Sequence, residues 1–142
     1  MIRTASSIME KVIFEKPFLK IVADDDKELI HLRWINFAQS DEFREGLNFA
    51  LDYVRKNKIK RWLANLRDMS IIKEADRDWT NNEWFPEVAK TDLKRMAILV
   101  SLDFLNQSAV TRIMNKAEQV IRFETEYFND IDRAREWLMK ET

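Results

Sequence analysis

Acid–base or nucleophilic chemistry in this chain would have to pass through very few side chains. The only histidine is His31. A zinc site needs three or four nitrogen, sulfur or carboxylate ligands, and a Ser-His-Asp triad needs a base held by a third group. His31 stands in the run ELIHLRWI beside Arg33 with no such pattern around it. It is expected to be a partly exposed residue of a sheet. Four carboxylates, Asp68, Glu74, Asp76 and Asp78, fall together after a predicted strand. Open α/β sheets bind ligands at such strand ends. A pair of them could do acid–base work if burial raised one pKa; their simpler role is to meet the positive end of a helix dipole. Asp24, Asp25 and Asp26 lack the alternating ligands, central glycine and distal glutamate of an EF-hand, and read as a hairpin turn.

Two denser clusters could bind rather than react. Arg55, Lys56, Lys58, Lys60 and Arg61 place five cations in seven positions. They form a candidate patch for an anion or an acidic partner, against the plainer reading of a cationic helix end and a charged loop. Residues 78–90, DWTNNEWFPEVAK, crowd Trp79, Trp84, Phe85 and Pro86 into eight positions. On a regular helix Trp84 and Phe85 lie about 140° and about 120° from Trp79, so the three form no single stripe. Pro86 would also lose the bond to the Asn82 carbonyl and crowd that turn. A kink or break near Asn81–Asn82 is expected. Trp79, Trp84, Phe85 and Asn82 are therefore candidates for an interface or a small apolar ligand, beside the ordinary reading of core packing.

Composition removes whole classes of function. There is no cysteine, which excludes disulfides, thiolate nucleophiles, zinc fingers and iron–sulfur clusters. Glycine occurs once, at Gly46, so a P-loop, a dinucleotide fingerprint and a nucleophile elbow have no usual form here. No cofactor or metal is expected. The 24 basic and 25 acidic residues are interleaved, and a net charge of −1 gives no general pull toward nucleic acid. No stretch approaches the roughly 20 apolar residues of a membrane span, and MIRTASSIMEKVIF holds no apolar run of signal-peptide length. The expected location is the cytoplasm.

The elements that must position these residues follow from periodicity. FLKIVA (18–23) and ELIHLRWI (28–35) read as an antiparallel hairpin about a polar turn, with a further short strand at 11–15 ending before Pro17. Phe43, Leu47, Ala50, Leu51 and Val54 make one helical stripe over 41–57, with Ser40 as N-cap. RWLANL (61–66) is a strand, and a helix begins near Glu74. RMAILVS (95–101) holds five consecutive apolar residues, the mark of a central parallel strand covered on both faces. A helix over 106–119, a half-buried edge strand over 121–127 and a last helix from Asp130 complete the chain. The order β-β-α-β-α-β-α-β-α, with the extra strand in front, predicts an α/β fold: a mixed sheet opened by an antiparallel hairpin, with about four helices, in one domain over residues 8–142.

That order is similar to the STAS fold, and more closely to the SpoIIAA-like, or STAS/SEC14-like, proteins. Within these the chain resembles a group associated with Bacteroidetes that has no assigned activity. The resemblance rests on RWLANLRDM (61–69), WTNNEWFP (79–86), LKRMAILV (93–100), IMNKAEQ (113–119) and FETEYFNDIDRAREWL (123–138). Signalling STAS proteins carry a phosphorylatable Ser or Thr in an Asp-Ser-Ser-Gly-like turn. Here Asn65 falls near their strand-end Asp, and the turn would fall at Lys73-Glu74-Ala75-Asp76, which has no hydroxyl and no glycine. The phospho-switch is not inherited. The resemblance implies a non-enzymatic interaction or regulatory module, expected as a homodimer, with a protein partner. The SEC14-like alternative is a small apolar ligand or lipid in an aromatic-lined pocket.

Overall fold

Asp24–Lys27 turns the chain back sharply, and the apolar alternation on either side decides which face is buried. The computed structural model describes residues 9–141; the expected domain limits, 8 and 142, lie outside them. β1 (Lys11–Lys16), β2 (Leu19–Asp24) and β3 (Leu29–Asn36) form an antiparallel meander. The strand expected before Pro17 is a full member of the sheet. The chain continues through helix α1 (Ser40–Asn57), β4 (Arg61–Met69), a helix over residues 74–88 (α2), β5 (Arg95–Leu99), α3 (Phe104–Ala117), β6 (Glu124–Phe128) and α4 (Ile131–Met139). The six strands lie in chain order, and β3 to β6 are parallel.

Several boundaries differ from the sequence reading, among them the start of β6, at Glu124 rather than 121; three others have a plain local reason. β4 runs on to Met69 because β3, after a bulge between Arg33 and Ile35, keeps pairing with it through Asn36. α3 starts at Phe104 because the Asp103 side chain accepts the Asn106 N–H at 3.1 Å and caps the helix there. α1 is capped by Gln39, whose N–H donates to Glu42 Oε1 at 2.9 Å. The Ser40 hydroxyl is committed elsewhere, donating to Asp76 on α2.

The two sheet faces are covered unequally. Ile30, Leu32 and Trp34 of β3, Trp62 and Leu66 of β4, and Met96 and Ile98 of β5 pack beneath α1, α2 and α3. The opposite face buries Leu29, Leu63 and Ala97 beneath α4 alone, through Ala134 and Leu138. Two arginines hold α4 there. Arg61 Nε donates to the Leu138 carbonyl at 2.7 Å, and Arg95 Nη1 to those of Trp137 and Lys140 at 2.8 and 2.9 Å. Helix C-termini leave carbonyls without intrahelical partners and favour cations, so the pairing follows from helix geometry.

Gly46 is required by packing rather than by backbone conformation. It lies where α1 crosses the sheet. A Cβ there would overlap the Leu19 Cδ2 methyl and come within 3.1 Å of the Trp34 ring. Leu19 is fully buried, so it has little room to turn away. Alanine in place of a mid-helix glycine ordinarily adds about 1 kcal/mol. Gly46→Ala is instead expected to lose about 1 kcal/mol, because overpacking a tight core costs roughly 1–3 kcal/mol. Urea unfolding of the two proteins checks this, and a higher midpoint for the variant would refute it.

Candidate functional site

The aromatic stretch lies in α2, and the helix does not break at Asn81–Asn82; its regular α geometry is interrupted there instead. It passes from an α-helical start (Glu74–Trp79) through one π-helical turn (Thr80–Trp84) into a final α turn (Phe85–Val88). The Phe85 N–H reaches back five residues to the Thr80 carbonyl. Pro86 then falls in the first turn of the last segment, where a missing N–H costs least. The widened turn absorbs one extra residue and changes the register of everything after it. Thr80, Trp84, Phe85 and Val88 consequently all face inward.

Trp84 and Phe85 are each only 3% exposed. The Trp84 indole N–H donates to the Leu47 carbonyl of α1 at 3.0 Å. Its ring meets Trp62 at 5.4 Å and Phe85 at 4.9 Å between centroids, both edge to face. Trp79 is half-buried against the same core at a different place, edge-on to Phe43 with Arg44 above its ring. Asn82 is exposed. The structure thus brings Trp84 and Phe85 together and separates Trp79 and Asn82 from them. Beneath the widened turn lies an apolar cavity of about 80 Å³, walled by Trp34, Trp62, Trp84, Phe85 and Met114 among others. Thr80 is its one polar wall residue, and the Thr80 hydroxyl is already bonded to the Asp76 carbonyl.

The five cations are dispersed. Arg55 pairs with Glu87 at 2.6 Å, Lys60 approaches Glu28 at 3.5 Å, and Arg61 serves α4. Lys90, and then Arg55, hold the Glu87 carboxyl below its usual range. Lys56 is exposed, and Lys58 closes α1 in the left-handed conformation, φ 52°. Of the carboxylates, Glu74 and Asp78 stay neighbours on α2 and the other two go elsewhere. Asp76 is buried between Ser40 and Arg44, linking α2 to the start of α1, while Asp68 pairs with Arg33. Among the described residues no group of three or more His, Asp or Glu is arranged to hold a metal ion.

One surface escaped the sequence reading. Phe104, Leu102 and Leu105 are 81%, 71% and 65% exposed, and Ile71 and Phe37 are exposed nearby. They sit where β3, β4 and β5 end, on loops stitched to one another. Ser70 N–H donates to the Asn36 carbonyl, Ser101 Oγ to that of Met69, Leu102 N–H to that of Arg67, and Ile72 N–H to Asn106 Oδ1. The signal was present in SLDFLNQ, an Asp N-cap followed at once by two large apolar residues. A helix expected from 106 leaves both residues outside it.

A model of the SpoIIAA-like family matches residues 29–139. The chain belongs to the SpoIIAA-like family. Among solved structures, this SpoIIAA-like domain is similar to an uncharacterised protein from the DUF3478 family with a SpoIIAA-like fold, from Shewanella loihica PV-4. The TM-score is 0.55 at 17% identity, over 78% of this chain and 83% of that one. At that identity the likeness establishes the fold. No curated protein matches the chain. No described helix is long and apolar enough to cross a membrane. In this SpoIIAA-like domain Lys73–Asp76 do open the helix after β4, with Lys73 as N-cap and no hydroxyl among the four. Asn65 is not at a strand end: it lies within β4, accepting the Arg67 N–H and facing His31.

His31 lies half-buried on the thinly covered face, with Asn65 Nδ2 3.3 Å from Nε2 and Arg135 Nη2 3.4 Å from Nδ1. Burial first, then the nearby charges of Arg135, Arg33 and Lys20, lower its pKa from 6.5 to about 4. The folded protein therefore holds the ring neutral after the unfolded chain has taken up a proton. This contribution to stability is complete above about pH 6.5 and is lost as pH falls toward 4, by about 3 kcal/mol in all. His31→Gln is expected to flatten stability against pH in that window, measured by urea unfolding at a series of pH values. An unchanged slope would show that His31 titrates alike in both states.

Proposed function

We propose that this chain is a non-enzymatic interaction module of regulatory type, working as a homodimer through the surface at the C-terminal strand ends. The observation that carries the reading is the exposure of Leu102, Phe104 and Leu105 beside Ile71 and Phe37. Large apolar side chains exposed as a group mark sites of association. The charges around them carry both signs, Arg67 and Lys73 against Asp68 and Asp103, with Lys73 over the Phe37 ring. Such a rim can complement a twofold copy of itself, whereas a partner of one sign would leave like charges facing. Support for a non-enzymatic role comes from His31. Its ring nitrogens lie against Asn65 and Arg135, with no hydroxyl or carboxylate bonded to either. Light scattering over a range of concentrations is expected to give two chains per particle. Phe104→Glu should give one, with an unchanged circular dichroism spectrum. A wild-type monomer at every concentration would exclude the dimer.

A second reading, binding of a small apolar ligand, is favoured by the cavity under α2. Native cores hold few voids larger than a water molecule. About 80 Å³ is smaller than the roughly 150 Å³ of an engineered cavity that binds benzene, so a group of a few carbons fits better than a whole acyl chain. Cyclopentane is expected to raise the melting temperature by mass action on the folded state. Ala64→Leu, which fills the space, should abolish that rise; no rise in the wild-type protein would remove the ligand reading.

A further inference from the structure

The groove between α2 and α3 presents an unusual set of charges. Its volume is about 360 Å³, and its walls include Glu74, Arg77, Asp78 and Asn81 from α2 with Arg112 and Lys116 from α3. That size is near the lower end for pockets that take small molecules. Elsewhere on this protein neighbouring charges find each other, as Arg55 does Glu87, Lys90 the same Glu87, and Arg33 Asp68. Among the described residues the five charges of this groove make no ion pair, although three cations and two carboxylates line one space. Arg77 goes further: its Nε is buried and has no hydrogen-bond partner. A charged donor removed from water without an acceptor is costly, so this guanidinium gains from any acceptor that reaches its other nitrogens.

The fold holds these groups on firm supports. Arg77 and Asn81 are one helical turn apart on α2, as Arg112 and Lys116 are on α3. Asn81 Nδ2 donates to the Ile113 carbonyl at 2.9 Å, tying the widened turn of α2 to α3 beside the groove. Arg77 and Arg112 present planar forks suited to an oxyanion, and Lys116 adds a point charge. Glu74 and Asp78 can only accept when ionised, so they suit an ammonium or hydroxyl group on the same ligand.

We infer that this groove binds a small molecule bearing a phosphate or carboxylate together with an amino or hydroxyl group. Arg77, Arg112 and Lys116 take the oxyanion, and Glu74 and Asp78 take the donor end. The site is separate from the apolar strand-end surface and from the cavity inside the core, so it stands or falls independently of both readings above.

The test is amide NMR of the full chain during titration with inorganic phosphate and with O-phosphoserine, at ionic strength held constant with sodium chloride. Saturable shifts are expected at residues 74–81 and 112–116, with O-phosphoserine binding about tenfold more tightly than phosphate because it carries an ammonium group as well. Arg77→Gln removes a charge that has no partner at Nε, so it should fold normally and weaken both ligands about tenfold. Arg112→Gln, on an exposed side chain, gives the same readout if the Arg77 variant does not fold. Shifts reproduced by sodium chloride alone, shifts unchanged in both variants, or no saturation at tens of millimolar would overturn the inference. So would binding of an oligo-aspartate peptide without binding of either small anion, which would give the groove to an acidic protein segment.

Discussion

Pro86 has no amide proton, so α2 cannot make its ordinary bond to the Asn82 carbonyl. The helix answers by widening over Thr80–Trp84, with the Phe85 N–H reaching Thr80 instead. Much of the interior depends on that one accommodation. It rotates Trp84 and Phe85 onto the inward side together, and it lets the Trp84 indole bond the Leu47 carbonyl. That bond joins α2 to the middle of α1. Asp76, buried against Ser40 and Arg44, joins it to the start of α1. The cavity follows from the same geometry. Rigid rings such as Trp62 and Trp84, which meet edge to face, cannot fill every gap as flexible aliphatic chains would.

The sheet's two faces divide the labour of the fold. One carries three helices and nearly all the large apolar side chains. The other carries α4 alone, and the small side chains of Ala97 and Ala134 let it lie close. Arg61 and Arg95 fasten its C-terminal end. Farther along this face the cover gives way to a polar group, His31, Asn65 and Arg135, with Glu10 within 3.8 Å of the arginine. The parallel strands end together, and the loops leaving them are bonded into one surface. That is why Phe37, Ile71 and Phe104, far apart in the chain, can act as a unit there.

Much of this was legible in the chain itself. The α1 stripe from Phe43 to Val54, the five-residue apolar run of β5 and the alternation of β3 each identify an element and its buried face. These signals are periodic, and periodicity needs only the spacing of apolar residues. Element ends were harder to read. Where β4 stops depends on how long β3 pairs with it, and where α1 starts depends on Asp76 taking the Ser40 hydroxyl. Both partners lie more than thirty residues away.

The candidate residues show the same division. Sequence alone determined that this is a cysteine-free α/β domain with almost no glycine for phosphate loops, and that Pro86 disturbs a helix beside two tryptophans. It also carried the resemblance to the SpoIIAA-like family. Only the tertiary structure decided how the disturbance is resolved, because a break and a π turn answer the same missing hydrogen bond. The choice rests on what Trp84 and Phe85 find beneath them, Trp62 on β4 and the Leu47 carbonyl on α1. Likewise, the five cations at 55–61 are neighbours in the chain but are drawn apart in space by Glu87, Glu28 and the end of α4. Arg77 and Arg112, thirty-five positions apart, share one groove. Local spacing specifies a face of a helix or strand; which faces meet is a property of the packed chain.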